Sequence, residues 1–249
     1  MTAIGPRVRL DQLLVQRGLV ESRAKARAAI EAGGVTIDGK PARAASQMFE
    51  EHVVLTAVDA HRFVGRGALK LDHALTLWPV AARGRVVLDI GASTGGFTEV
   101  CLERGAAKVF AVDVGFGQMH ARIAADPRVV NLERTDARDL TDNLIPDAPQ
   151  LIVCDASFIG LAKVLPAALE LAEPGADLVT LVKPQFEMAS SAEIGRGGIV
   201  RDVEAQAQAL ARVVDWLAAE GWTVREATDS PITGGDGNHE FLLWAQKAG

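Results

Sequence analysis

The chain alternates short apolar runs with stretches of helical spacing over most of its length. The runs at 86–88, 109–112, 129–132, 151–154 and 177–182 are apolar or nearly so. Runs of this length suit strands buried on both faces. Between them, Phe97, Val100, Cys101 and Leu102 share a helical face. Leu161, Val164, Leu165, Ala168, Leu169 and Leu171 predict one helix, ended by Pro174-Gly175. Residues 203–219 form an amphipathic pattern on Val203, Ala207, Leu210, Val213, Val214 and Leu217. Two final strands are expected at 223–227 and 240–245. Strands alternating with helices predict an α/β fold, a mostly parallel, doubly wound sheet with helices on both faces.

The first sixty residues follow another pattern. Residues 7–19 predict a short amphipathic helix with Leu10, Leu13 and Leu14 on one face and Gly18 as its stop. Ser22 is an N-cap for a second helix over 23–32, with Ala26, Ala29 and Ile30 inward. Arg23 and Arg27, four apart, project together from another side. Val35-Thr36-Ile37 predicts a strand, Asp38-Gly39 a hairpin turn, and 53–57 a later strand. The expected organisation is a small α+β domain over 1–58, a linker over 59–66 and the α/β domain over 67–249. A helix from Gly67 should end before Pro79. Within it Lys70 reads, taken alone, as a lysine whose stem lies on the surface.

The centre of the chain is the loop after the first long-domain strand. It carries Asp89, Gly91, Ala92, Ser93, Thr94, Gly95, Gly96 and Phe97, and Asp113 ends the next strand. Glycines let a backbone approach a ligand, a helix start offers free N–H donors, and an acid ending the second strand suits ribose hydroxyls. The dinucleotide fingerprint G-x-G-x-x-G is absent. An acid at Asp89 suits the ammonium and sulfonium of S-adenosylmethionine better than a pyrophosphate, although a bare β–α turn has the same spacing. Asp136, with Ala137 beside it, follows the third strand and is a candidate for the adenine amino group or a plain helix cap. Asp89, Asp113, Asp155 and Lys183 would all meet at the carboxyl ends of parallel strands, where such sheets bind ligands. Lys183 follows Leu181-Val182 and is costly to desolvate unless paired.

Charge divides the chain as the patterns do. The net charge of −6 sums a segment 1–44 at +4 and a remainder at −10. A basic module on an acidic body suggests a nucleic-acid-binding appendage. No aromatic residue lies in 1–48, so base stacking is not its expected mode. No apolar run reaches the roughly 20 residues of a membrane helix, and the first residues lack a signal-peptide core. Cys101 and Cys154 lack metal-ligand spacing and read as buried thiols of a reducing compartment. The expectation is a soluble cytoplasmic protein, monomeric or weakly oligomeric, without a metal.

Two sets of motifs resemble known families. R-L-D-x-L-L, R-G-L, S-R-x-x-A and G-x-V-x-I-D-G-K, over about residues 7–57, resemble the S4-type RNA-binding domain. That resemblance implies structured RNA as partner. Arg7, Arg9, Arg23, Lys25 and Arg27 are the candidate contacts in this segment, with Arg66 and Arg138 further along. Arg134, Arg196 and Arg201 are other basic candidates at the mouth of the site.

Lys70, Asp155, Lys183 and Glu240 resemble the Lys–Asp–Lys–Glu tetrad of FtsJ-type ribose 2′-O-methyltransferases, in R-G-A-L-K-L, C-D-A-S-F, L-V-K-P-Q-F-E and G-N-H-E-F. With D-I-G-A-S-T-G-G-F-T, G-R-G-G-I-V-R-D and S-P-I-T-G-G-D-G-N, residues 7–246 resemble the TlyA (haemolysin-A-like) family. Ala68 stands where that family pattern expects a second glycine. The resemblance implies a Rossmann-like fold, S-adenosylmethionine as cofactor, and 2′-O-methylation of cytidine in 16S and/or 23S ribosomal RNA. Lys183 would take the hydroxyl proton, helped by burial and by Lys70, with Asp155 and Glu240 orienting the lysines. Competing readings are a non-catalytic ribosomal-RNA-binding or assembly factor, a haemolysin, and a small-molecule methyltransferase.

Overall fold

The computed structural model describes residues 7–58, 61–188, 194–234 and 237–249. The glycine- and serine-rich segment 189–201, whose composition predicts a mobile loop over the site, lies partly outside these, as do Gly235-Asp236 and the side chain of Arg196. The chain divides into two compact units, Met1–Arg66 and Gly67–Gly249.

In the first unit, β1 (Arg7–Arg9) leads into α1 (Leu10–Gln16) and α2 (Arg23–Glu31). Then follow β2 (Val35–Ile37), β3 (Lys40–Pro41), β4 (Met48–Glu50) and β5 (Leu55–Ala57). The helix expected from residue 7 begins only at Leu10. Arg7–Arg9 pairs antiparallel with β4, placing Val8 opposite Phe49. The partner of this three-residue strand lies 40 residues away, so local periodicity carries no sign of it. The Leu19 N–H returns to Leu14 O past Gly18, closing α1 as expected. Ser22 Oγ accepts from Lys25 N at 3.2 Å, capping α2. Leu10, Leu13, Leu14, Ala26, Ala29, Ile30, Val35 and Leu55 form one buried cluster. The small alanines of α2 let the two helices close on the leucines of α1.

In the second unit, α3 (Ala68–Leu77) precedes β6 (Val86–Ile90), α4 (Gly96–Glu103), β7 (Lys108–Asp113), α5 (Ala121–Ala124) and β8 (Val129–Glu133). After a 3-10 turn at Ala137–Asp139 come β9 (Leu151–Cys154), α6 (Leu161–Val164), α7 (Pro166–Leu171), β10 (Asp177–Val182) and α8 (Pro184–Glu187). The unit ends with α9 (Val203–Ala219), β11 (Trp222–Asp229) and β12 (Phe241–Lys247). Among the described residues these make a seven-stranded sheet in the order β11-β12-β10-β9-β6-β7-β8. Both pairings of β12, with β10 and with β11, are antiparallel, and the other pairings are parallel. The single helix expected over 161–171 is two, because Pro166 has no N–H to continue α6 and opens α7 instead. The two last strands are longer than their apolar patterns, since pairing runs from Trp222↔Lys247 to Asp229↔Phe241.

Alternation along the strands splits the core. Leu88, Ile90, Phe110, Val112, Ile152, Cys154, Leu178 and Val182 pack with residues of α6, α7 and α9. The opposite parity includes Asp89, whose Oδ2 accepts from Thr98 Oγ1 of α4 at 2.6 Å. Arg104, just past α4, donates to Leu75 O and Asp72 O and so ties α4 to the last turn of α3. Cys101 and Cys154 are free and buried, and burial pushes the Cys154 thiol up to about 12. From β6 the chain winds outward through β7 to β8, then crosses to β9 on the other side. That reversal opens a crevice at the carboxyl ends of β6 and β9.

Candidate active site

A cavity of about 570 Å³ fills that crevice. Its walls include Ile90, Gly91, Ser93, Asp113, Asp136, Ala137 and Asp155. Gly91 takes φ +81°, and a Cβ there would lie 3.0 Å from the backbone of Ala156. Glycine therefore lets the β6–α4 loop lie against the end of β9. Ser93, at φ +47°, turns its N–H to Asp113 Oδ2 at 2.8 Å, and Gly115 N donates to Oδ1 at 2.7 Å. Asp113 thus binds two loops together, and each of its oxygens retains capacity for a further donor.

The remaining loop residues divide. Ala92, Gly96 and Phe97 are buried behind the loop, and Thr94 and Gly95 do not line the cavity, so these five do not form its wall as expected. Asp89 is fully buried beneath it, and Oδ1 has no hydrogen-bond partner among the described residues. Burial lifts its pKa to about 7, against the pull of the Thr98 hydroxyl. Asp136 is the helix cap that its spacing allowed, accepting from Arg138 N at 3.0 Å. Its carboxylate is also gripped by the Arg138 guanidinium at 2.6 Å, which holds its pKa down to about 2. Arg138 therefore lines this cavity, engaged by Asp136.

S-adenosylmethionine fits these features. The volume lies in the range of small-ligand sites. Apolar walls from Ile90, Val112, Val114, Ile159 and Val164 suit an adenine ring, and Asp113, Asp136 and Asp155 suit a ligand carrying positive charge. The orphaned Asp89 oxygen lies under the same loop.

Beside the cavity the expected tetrad is assembled. Lys183 Nζ lies 2.6 Å from Asp155 Oδ1 and donates to Ser157 Oγ at 2.8 Å and to Asp155 O at 3.2 Å. Lys70 Nζ donates to Glu240 Oε2 at 2.6 Å and stands 3.9 Å from Asp155 Oδ2. Asp155 thereby links two lysines from separate segments of the unit's sequence. Lys70, Lys183 and Glu240 are buried, with relative exposures of 6%, 6% and 3%. Lys70 is thus no surface lysine. Ala68 opens α3 fully buried, so the place of the expected glycine is taken without displacing Lys70. Glu240 immediately precedes β12, and a Cβ on Gly234 would approach its Oε1 to 2.5 Å, so a glycine there leaves room for the carboxylate. Burying two cations is tolerable only because two anions accompany them.

Sequence reasoning gave no role to Ser157 or Phe158. Phe158 is 90% exposed at φ +67°, and its ring lies 5.5 Å from that of Phe186. A large exposed aromatic in a rarely adopted backbone conformation beside the tetrad is the signal that marks it.

In the first unit, Arg7 is exposed, and Arg9, Arg23 and Arg27 converge on Asp11. Lys25 departs from the expectation of an RNA contact: its side chain is buried and its ammonium donates to His61 O at 3.4 Å. Two residues from Arg23 and two from Arg27, Lys25 lies about 200° around the helix from each, which turns it toward His61. Arg66 pairs with Glu31 at 3.2 Å.

A parallel nucleotide-type sheet, an acidic crevice at its switch point and a paired-lysine site beside it define an S-adenosylmethionine-dependent methyltransferase. The sequence pattern of the FtsJ-like methyltransferases matches residues 63–247, and that of the S4 domain matches residues 8–55. The chain belongs to the FtsJ-like methyltransferase family and carries an S4 domain. It is 48% identical to the 16S/23S rRNA (cytidine-2′-O)-methyltransferase TlyA of Mycobacterium tuberculosis, over 96% of this chain and 89% of that protein. Hemolysin A of Brachyspira hyodysenteriae is 35% identical over 94% of this chain and 98% of its own length. The solved structure of a hemolysin-named protein of Streptococcus thermophilus superimposes with a TM-score of 0.78 at 36% identity, covering 98% of this chain and 89% of that one.

Proposed function

We propose that this chain methylates the ribose 2′-hydroxyl of cytidine in 16S and/or 23S ribosomal RNA, in the cytoplasm, as a monomer or weak oligomer. The observation that carries the reading is the chain of contacts from Lys183 through Asp155 to Lys70 and Glu240 at the edge of the crevice. When bound, S-adenosylmethionine supplies an electrophilic methyl carbon on a sulfonium.

Lys183 takes the 2′-hydroxyl proton, while the bound cofactor would give its methyl group to that oxygen and leave as a neutral thioether. Asp155 O and Ser157 Oγ accept hydrogen bonds from the resulting ammonium, and Asp155 Oδ1, 2.6 Å away, balances its charge. Acceptors already in place stabilise charge as it develops. Lys70, itself held by Glu240, attracts the second oxygen of Asp155 from 3.9 Å, which keeps the first directed at Lys183. The exposed ring of Phe158 gives the target nucleoside a surface on which to stack. The S4 domain supports RNA rather than a small molecule as acceptor. A tetrad in which Lys70, Lys183 and Glu240 are buried and ion-paired argues against a purely non-catalytic assembly factor. Among the described residues no helix is long and apolar enough to cross a membrane, which leaves the haemolysin reading without that route.

The test incubates the protein and Lys183→Ala with tritiated S-adenosylmethionine and undermethylated bacterial ribosomal subunits, then maps ribose methylation. Label on a cytidine 2′-oxygen, reduced about 10²- to 10⁴-fold in the variant, supports the reading. No transfer by a wild-type protein that binds both cofactor and RNA overturns it.

A further inference from the structure

Asp11 is fully buried in the first unit, and three guanidinium groups close on it. Arg9, from β1, donates Nε to Oδ1 at 3.0 Å and Nη2 to Oδ2 at 3.1 Å. Arg23, from the start of α2, donates Nε and Nη2 to Oδ2 at 3.2 and 2.9 Å. Arg27, one turn further along α2, brings Nε to 3.7 Å from the same oxygen. Oδ1 also accepts from Gln12 N at 3.0 Å. One carboxylate thus answers three cations, and the cluster keeps a net charge of +2.

An arrangement serving stability alone would cover the arginines. Here their side chains remain 34%, 48% and 56% exposed. A guanidinium has five N–H donors in a rigid fork, so each arginine retains donors directed outward after binding Asp11. Arg7 stands two residues from Arg9 on β1, on the same face of the strand. Four guanidinium groups from two distant segments therefore form one array, and a buried carboxylate at its root fixes three of them.

We infer that Asp11 is a positioning residue for RNA: it holds Arg9, Arg23 and Arg27 as a preformed grip on successive phosphates. The inference rests on the ribosomal RNA reading above and deepens it. Free arginines would each lose side-chain freedom on binding a phosphate, and Asp11 removes that loss before the RNA arrives. It does so at the expense of one unit of favourable charge, which makes the two explanations of the cluster separable by sign. Were charge alone at work, deleting the negative group would tighten RNA binding.

The experiment compares the full chain with Asp11→Asn on undermethylated bacterial ribosomal subunits, reading the RNA dissociation constant across a salt series, kcat and the KM for RNA. The expected result is binding weaker by roughly tenfold or more, from lost charge-assisted contacts. The salt slope should fall by about one or more phosphate contacts despite the added positive charge. KM should rise by a larger factor than kcat falls, with an unaltered dissociation constant for S-adenosylmethionine. Unchanged or tighter RNA binding overturns the inference.

Should circular dichroism show that Asp11→Asn has lost its folded first unit, Arg23→Lys takes its place. It retains the charge and removes the fork on Asp11. Weaker binding with a lower salt slope supports the array, and unchanged binding overturns it. Wild-type protein runs in the same assay, so failure of the ribosomal RNA reading appears there, independently of either variant.

Discussion

Replacing Asp89 with asparagine measures what it costs to keep a carboxyl group inside the sheet. Burial raises the Asp89 pKa from 3.8 to about 7, helped by the charges of Asp155 and Asp113. The native state therefore holds a proton that the unfolded chain has already released between about pH 4 and pH 7. Stability falls as pH rises through that window and levels off above it. A shift from 3.8 to about 7 corresponds to about 4 kcal/mol when complete, at 1.36 kcal/mol per unit. Asparagine has nearly the same shape, can accept from Thr98, and does not titrate.

The stability of Asp89→Asn relative to wild type should thus increase by about 4 kcal/mol between about pH 4 and pH 7, whatever the offset at the acid end. Urea unfolding followed by tryptophan fluorescence reads this directly, because Trp78, Trp216, Trp222 and Trp244 all belong to the catalytic unit. A difference that is flat with pH, or that shrinks as pH rises, would refute the assignment. An ammonium group bound near Asp89 favours the ionised form. Wild-type cofactor affinity should accordingly rise through about pH 7, and the asparagine variant should lack that rise.

Other consequences follow from the same geometry. Lys70→Met leaves Glu240 buried without its cation and should cost about 3–5 kcal/mol in urea unfolding, most of it recovered in Lys70→Met/Glu240→Gln. Gly91→Ala places a methyl group 3.0 Å from the Ala156 backbone at φ +81°. It should destabilise by about 1–3 kcal/mol and weaken cofactor binding measured by calorimetry. Phe158→Ala, at a 90% exposed position, should shift stability by less than about 0.5 kcal/mol while raising the KM for RNA and leaving the cofactor dissociation constant unaltered.

The sequence by itself determined the strands of the second unit and the charged residues at their ends. Continuous apolar runs such as Leu151–Cys154 admit little else, and a buried strand places its last residue at the sheet edge. It also determined α1 and α2 through leucine and alanine spacing, with Ser22 as the cap between them. Ordered motifs named the tetrad. Tertiary structure decided the rest. Lys70 and Glu240 lie 170 residues apart in the chain, and only the folding of α3 against the approach to β12 reveals that they pair. β1 exists because β4 is available to it, a pairing with no periodicity to announce it. Asp136 reads as an adenine ligand or a helix cap and Arg138 as an RNA contact, and only the 3-10 turn brings the two together. Lys25 reads as one basic residue among several, and nothing in the pattern singles out Asp11. Their roles depend on which face of each helix meets another element. Local patterns encode the burial of an element, whereas the partner of a charge is set by segments the pattern does not contain.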